Sequence, residues 1–335
     1  MKVYEIRDGF GIDLLTMAER PEPRPGAGQV LVRVRAVSVN YRDLLVVKGL
    51  YNPGLPLPLI PFSDGAGEVV AVGPGVTRVK TGDRVAGIFM QGWLAGDLTE
   101  AKAETSLGGA IDGVLAEYAL FHEEGVVPLP EHLTYEEGAT LPCAAVTAWH
   151  AVVEEGIRPG DSVLTIGTGG VSLFALQFAL LAGARVIATS RSAGKLERAL
   201  RLGAADGIDS TSEPDWERKA WELTGKRGVD LVVEVGGAGT LPRSLRAVRV
   251  GGRISLIGVL TGTTGEVNPL PAVMKGVRVQ GIYVGSREMF ERMNRAISLH
   301  GLRPVVDRAF PFAEAPAALR YLESGAQFGK IVITI

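Results

Sequence analysis

Residues Gly167-Thr168-Gly169-Gly170-Val171-Ser172 are the strongest chemical signature in the chain. Glycines let a backbone bend sharply and come close to a bound group. The free amides that open the following helix attract negative charge. An apolar run at 162–166 reads as a strand before this bend, and 171–182 reads as a helix after it. A strand, a glycine bend and a helix in that order make a cradle for a diphosphate. Ser172 stands where the pattern G-x-G-x-x-G has its last glycine, and it is small enough to keep helix and strand in close contact.

A dinucleotide held in this way brings its adenosine ribose to the end of the next strand, 185–190. Chains that select NAD place Asp or Glu there, about 20 residues past the glycines, to bond the 2′-hydroxyl. Here the sequence reads Thr189-Ser190-Arg191-Ser192, with Lys195 nearby. No carboxylate opposes a 2′-phosphate, while hydroxyls and two cations suit one. The predicted cofactor is therefore NADPH (NADP+), held by Gly167, Thr168, Gly169, Gly170, Val171, Ser190, Arg191 and Lys195. Gly236, in a Gly236-Gly237 pair, and Gly258, in Ile257-Gly258-Val259, are expected to line its far side at the carboxyl ends of later strands.

These residues need a parallel sheet, and the pattern around them supplies one. From 162 onward, apolar strands at 162–166, 185–190, 230–235 and 253–259 alternate with helices at 171–182, 194–202 and 241–250. That alternation predicts a parallel sheet with helices on both faces. Further strands are predicted at 278–284 and 330–335. The first 130 residues differ: strands at 30–39, 67–72, 84–89 and 116–121 are divided by turns such as Pro74-Gly75 and Thr81-Gly82-Asp83, an antiparallel, partly barrel-like pattern. Residues 92–113 read as an irregular insertion, and long loops in compact domains tend to be functional or mobile.

The bulk composition bounds the rest. A chain of 335 residues is long enough for two domains, and 46% hydrophobic with 21% charged residues is the balance of a packed globular protein. A net charge of −2 offers no basic field to nucleic acid or anionic lipid. No apolar run approaches the roughly eighteen residues of a membrane span. The start, Met1-Lys2-Val3-Tyr4-Glu5, lacks the apolar core of a secretory leader, and a single cysteine, Cys143, forms no internal disulfide. A reducing, cytoplasmic location is expected. His122, His132, His150 and His300 are scattered without metal-ligand spacing.

Three further stretches make the pattern specific: Pro61-Phe62-Ser63-Asp64-Gly65-Ala66-Gly67-Glu68-Val69, Gly82-Asp83-Arg84-Val85 and the glycine bend. In this order they resemble the medium-chain dehydrogenase/reductase family. Val39-Asn40-Tyr41-Arg42-Asp43 with Gly49-Leu50-Tyr51 is similar to its zinc-free branch of quinone oxidoreductases and enoyl reductases, and the likeness runs to Gly329-Lys330-Ile331-Val332. The resemblance implies an α/β fold with a β-rich, GroES-like catalytic domain at 1–131 and 283–335. A doubly wound Rossmann domain at 132–282 is implied between them.

Zinc members of the family hold their metal with a Cys, a His-acidic pair and a second Cys. This sequence has Asn40 at the first position and Ser63-Asp64 at the pair, leaving Cys143 alone, so no metal site is expected. The resemblance implies an NADPH-dependent, zinc-independent oxidoreductase passing hydride to a quinone or α,β-unsaturated carbonyl, or working on a related carbonyl/alcohol pair. A zinc alcohol dehydrogenase-like enzyme and a non-catalytic NADPH-binding protein of the zeta-crystallin type are the alternatives. Catalytic roles carry over to Tyr51 as proton donor, Asn40 at the nicotinamide ribose or substrate, and Thr147 at the nicotinamide ring. Asp43 is read as orienting neighbouring backbone, and Lys330 as a solvated lysine with closure of the cleft as the alternative. Trp93 and the segment 285–287 are read as walls of the substrate pocket, an exposed or interface Trp being equally compatible. The expected partners are a small-molecule substrate and a second copy of the chain paired through strand 278–284, with a tetramer as the alternative. Nucleic acid and membrane are not expected.

Overall fold

The computed structural model describes all residues from Met1 to Ile335 and divides them into two compact units: Met1–Val146 with Val284–Ile335, and Thr147–Tyr283. The first break falls fifteen residues beyond the expected 131/132. Residues 132–146 are fastened to the first unit: Arg84 Nη2 donates to the Leu133 carbonyl at 2.5 Å, and the Cys143 amide to Asp64 Oδ2 at 2.9 Å. No helix is long and apolar enough to cross a membrane.

In chain order the first unit begins with β1 (Lys2–Ile6), β2 (Leu15–Glu19), β3 (Gln29–Val39), β4 (Asp64–Val72), β5 (Arg84–Gly87), β6 (Tyr118–His122) and β7 (Val126–Pro128). The second unit holds β8 (Ser162–Thr165), β9 (Arg185–Ser190), β10 (Asp206–Asp209), β11 (Val229–Glu234), β12 (Val248–Leu256) and β13 (Arg278–Gly281). The chain returns to the first unit with β14 (Val306–Pro311) and β15 (Lys330–Thr334).

The first unit is built on a seven-stranded sheet in the order β14-β15-β3-β4-β5-β7, with β6 also pairing β3. Strand β15 runs antiparallel to β3, with Ile331 opposite Val39. Its core is aliphatic with a few large aromatics, including Phe62 and Phe121. The insertion at 92–113 is irregular, as expected, apart from a short helix, Glu100–Ala103. Its far end is pinned, because the Gly113 amide donates to the Ile60 carbonyl and the Val114 amide to that of Phe62.

The second unit is a six-stranded parallel sheet in the order β10-β9-β8-β11-β12-β13. Strands β8 and β11 are buried along their whole length, as continuous apolar runs must be when helices cover both faces. The helix expected at 241–250 ends at Ala247, and β12 starts at Val248 rather than Arg253. Val248 and Val250 prefer extended backbone, and Gly251 at φ 67° absorbs the register shift that β12 shows against β11. The strand expected at 278–284 is shorter: β13 ends at Gly281 and forms an exposed sheet edge.

Candidate functional site

The glycine bend leaves β8 as the sequence requires. Gly167 has φ 75°, a left-handed conformation that favours glycine, and a Cβ added at Gly167 or Gly169 would meet nothing within 4 Å. At these two glycines the bend therefore borders open space. Helix Gly170–Leu181 follows at once, so its unbonded first-turn amides stand where a diphosphate would lie. Ser172 does more than save room. Its hydroxyl donates to the Ile166 carbonyl at 2.7 Å and ties the helix to the strand end. Thr189 Oγ1 at the end of β9 accepts the Gly167 amide at 3.1 Å, so the bend and the ribose end are hydrogen-bonded to one another. Thr168 is buried.

At the end of β9, Ser190 Oγ accepts the Ser192 amide at 3.2 Å, and Ser192 caps helix Ala193–Arg201. Arg191 is exposed and Lys195 lies on the first turn of that helix. The carboxylate closest in register is Asp209, opposite Ser190 on β10, and it accepts the Thr211 amide at 2.9 Å.

The Gly236-Gly237 loop is tied from within. Both amides donate to Oε1 of Glu234, at 2.7 and 3.1 Å, and Thr240 Oγ1 adds a third bond to the same atom at 2.6 Å. Glu234 is fully buried at the end of β11, and a buried carboxylate must collect donors, so these amides are committed inward. Glu234 escaped the sequence reading although an acid inside the apolar run Leu231-Val232-Val233 is itself a signal. Gly258 sits where a Cβ would lie 2.3 Å from the Val235 carbonyl, so only glycine lets the strand ends approach.

In the first unit, one polar cluster gathers the buried Asn40, Asp43, Ser63, Asp64 and Lys330 with the half-buried Cys143. Asn40 precedes helix Tyr41–Val47, and its amide donates to Asp43 Oδ2 at 2.8 Å, so Asp43 orients backbone. Asn40 Nδ2 reaches Ser63 Oγ at 3.5 Å, Ser63 donates to Asp64 Oδ1 at 2.7 Å, and Asp64 Oδ2 takes the Cys143 amide. Lys330 is the largest departure from the sequence reading. It is 4% exposed, and its ammonium donates to the Val39 carbonyl at 2.8 Å and to Asn40 Oδ1 at 2.5 Å.

Burial sets the electrostatics of this cluster. It pushes the Asp43 carboxyl up to about 7 against the pull of Arg42, and raises Asp64 against the pull of Lys330. It lowers the Lys330 ammonium against the opposing pull of Asp64, Cys143 and Asp43, and pushes the Cys143 thiol well up, with Asp64 adding to that. A thiol in that position is inert.

Backbone strain fixes Ser63 and Asp64. Phe62 is fully buried with φ 71°, a rare conformation for a bulky residue, and Gly108 and Gly113 press against its backbone. Beside the cluster, the Arg42 guanidinium lies 5.2 Å from the Tyr51 ring centre and 4.9 Å from that of Phe89. Arg42 was not singled out in the sequence. Tyr51 is 40% exposed on the loop after the Tyr41–Val47 helix. Thr147 opens the second unit and is buried. Trp93 is buried, with Nε1 on the Gly96 carbonyl at 2.8 Å, so it braces its own loop and presents no open wall. No group of three or more His, Cys, Asp or Glu side chains is placed to hold a metal.

The geometry agrees with known proteins along the whole chain. The family described as alcohol dehydrogenase GroES-like domain matches residues 26–131, and that described as zinc-binding dehydrogenase matches residues 170–298. A zinc-type alcohol dehydrogenase-like protein of Schizosaccharomyces pombe is 42% identical over 341 residues, covering 99% of each chain. A crystal structure from Sinorhizobium meliloti 1021 is 44% identical with a TM-score of 0.92, covering 100% of this chain and 98% of that one. A crystal structure of an NAD-dependent alcohol dehydrogenase is 36% identical with a TM-score of 0.92 and full coverage of both chains. With a GroES-like unit, a Rossmann unit and relatives matched from end to end, this chain belongs to the medium-chain dehydrogenase/reductase family and is an alcohol dehydrogenase-like oxidoreductase.

Proposed function

We propose that the protein is an NADPH-dependent reductase that passes hydride to a quinone or an α,β-unsaturated carbonyl without a metal ion. The observation that carries this reading is the donor set of the first unit. Zinc asks for several thiolate, imidazole or carboxylate donors in one group. Here the Asn40 amide, the Ser63 hydroxyl, the Asp43 and Asp64 carboxyls and a raised Cys143 thiol gather with a buried lysine, with no group of three or more His, Cys, Asp or Glu placed to hold a metal. That set does not fit zinc. The open glycine bend and bare helix amides fit a dinucleotide diphosphate, and Ser190, Arg191 and Lys195 fit a 2′-phosphate better than a 2′-hydroxyl.

NADPH, when bound, supplies the hydride from its nicotinamide ring. The protein's residues then hold an electrophile and stabilise the negative charge that grows on its oxygen. Tyr51 is assigned as the proton donor, Asn40 as a donor to the ribose or substrate oxygen, and Thr147 as a neighbour of the ring. A carbonyl/alcohol pair is the second reading, favoured by the relatives named as alcohol dehydrogenases. NADPH and NADH oxidation against quinones, enals, enones and simple aldehydes, with metal content measured on the same sample, tests both. NADPH turnover by metal-free protein is expected, whereas stoichiometric zinc or a clear NADH preference would overturn the corresponding part. Cofactor binding without turnover would favour the non-catalytic alternative.

The exposed edge strand β13 is proposed to pair with that of a second copy, continuing the sheet. Sedimentation at micromolar concentration is expected to give a dimer.

A further inference from the structure

Lys330 is the one fully buried ammonium in the polar cluster of the first unit, and the partners it has selected are informative. An ammonium donates three hydrogen bonds and accepts none. Its contact with Asn40 at 2.5 Å therefore fixes which end of that carboxamide is oxygen, a choice that neutral partners leave open. With Oδ1 held toward Lys330, Nδ2 is turned toward Ser63, whose hydroxyl passes the chain of donors on to Asp64. The Ser63 contact is long at 3.5 Å, and the Asn40 side chain also hydrogen-bonds the Asp64 carboxyl, so Nδ2 serves both Ser63 and Asp64. Asp43 and Asp64 are both fully buried, and Lys330 and Arg42 are the basic groups beside them.

We propose that Lys330 is a positioning residue: its buried ammonium locks the Asn40 carboxamide with Oδ1 toward the lysine and Nδ2 toward Ser63 and Asp64, and so sets the donor that the proposed reaction draws on. The inference rests on the reading of Asn40 given above. Lys330 is the cation of this site and acts through Asn40.

The test has a readout that needs no turnover. The chain has four asparagines, Asn40, Asn52, Asn268 and Asn294, so selective 15N labelling yields few carboxamide signals, and Asn40→Ser assigns the one of interest. In the cofactor-free wild type, the Asn40 pair should be shifted and exchange slowly with water. In Lys330→Met, which keeps length but loses charge, it should move to the position of a free amide. In Lys330→Ala, ethylammonium at tens of millimolar should restore it, while 1-propanol, similar in size and uncharged, should not. Turnover with the best electrophile should follow: a fall of tenfold or more in kcat for both variants, and recovery of Lys330→Ala by ethylammonium alone.

An unmoved Asn40 signal in folded Lys330→Met, or a Lys330→Ala signal indifferent to ethylammonium, overturns the proposal even if the enzyme reduces quinones well. Conversely, wild type inactive on every electrophile overturns the functional reading, while the carboxamide signals still decide whether Lys330 sets Asn40. Should neither variant fold, Lys330→Arg keeps a cation in place and must retain the shifted Asn40 pair; a free-amide signal there overturns the proposal.

Discussion

The ammonium of Lys330 lies 2.5 Å from Oδ1 of Asn40, although 290 positions separate the two residues in the chain. Strand pairing makes the contact: Ile331 of β15 sits opposite Val39 of β3, so the residues just outside that pair are brought together. A buried cation thus comes to share a pocket with two buried carboxylates, in a unit whose relatives include a protein named for zinc.

Cofactor choice is expected to rest on Arg191. Replacing it by alanine should weaken NADPH binding by about tenfold, roughly 1.4 kcal/mol, and leave NADH within twofold, because only the 2′-phosphate needs the guanidinium. Fluorescence titration of both nucleotides measures this. Equal losses would remove Arg191 from the ribose site.

Tyr51→Phe removes one hydroxyl from a half-exposed ring and keeps the face that meets the Arg42 guanidinium. Turnover should drop by about 100-fold, the usual scale for a lost general acid, while NADPH affinity stays unchanged. Stopped-flow reduction under saturating cofactor separates the two. Wild-type turnover in the variant would assign the proton to another donor.

Gly113→Ala probes the strained corner. A Cβ at this position would lie 2.0 Å from the Phe62 carbonyl oxygen, so Phe62 must shift and carry Ser63 and Asp64 with it. A loss of about 2 kcal/mol in stability, in the range of overpacked cores, and a fall in turnover are expected together. Urea unfolding and steady-state kinetics check them; a variant as stable as wild type would show that the corner is slack.

The acid limb of stability should trace to Asp230. Burial alone would raise this carboxyl, but hydrogen bonds from Arg227 and Arg249, with those from Ser162, hold it below the ordinary aspartate range. Its folded value is depressed, so its contribution is complete above about pH 4, the unfolded value, and is lost as pH falls through the folded one. Urea midpoints should therefore decline below pH 4 in wild type. Asp230→Asn should cost about 2 kcal/mol at pH 7 and show a flatter acid limb. An unchanged slope would place the acid sensitivity elsewhere.

The glycine bend, the helix after it and the missing carboxylate at Thr189-Ser190-Arg191-Ser192 were legible in the sequence because each lies within one strand-turn-helix unit, where spacing alone sets geometry. The alternation of apolar strands and helices gave the parallel sheet for the same reason. Local pattern failed at 241–250, where helical spacing of Leu241, Leu245 and Val248 concealed a strand that begins at Val248 because its neighbour β11 is there to pair with it. It did not reveal that the Gly236-Gly237 amides face a buried Glu234, or that Trp93 turns inward. Lys330 is the clearest case. By itself it is a lysine at the start of an alternating strand, a pattern that suits a solvated side chain. Only antiparallel pairing of β15 with β3 buries it against Asn40, where the Val39 carbonyl and Asn40 Oδ1 accept from it and the nearby Asp64 and Asp43 oppose its desolvation.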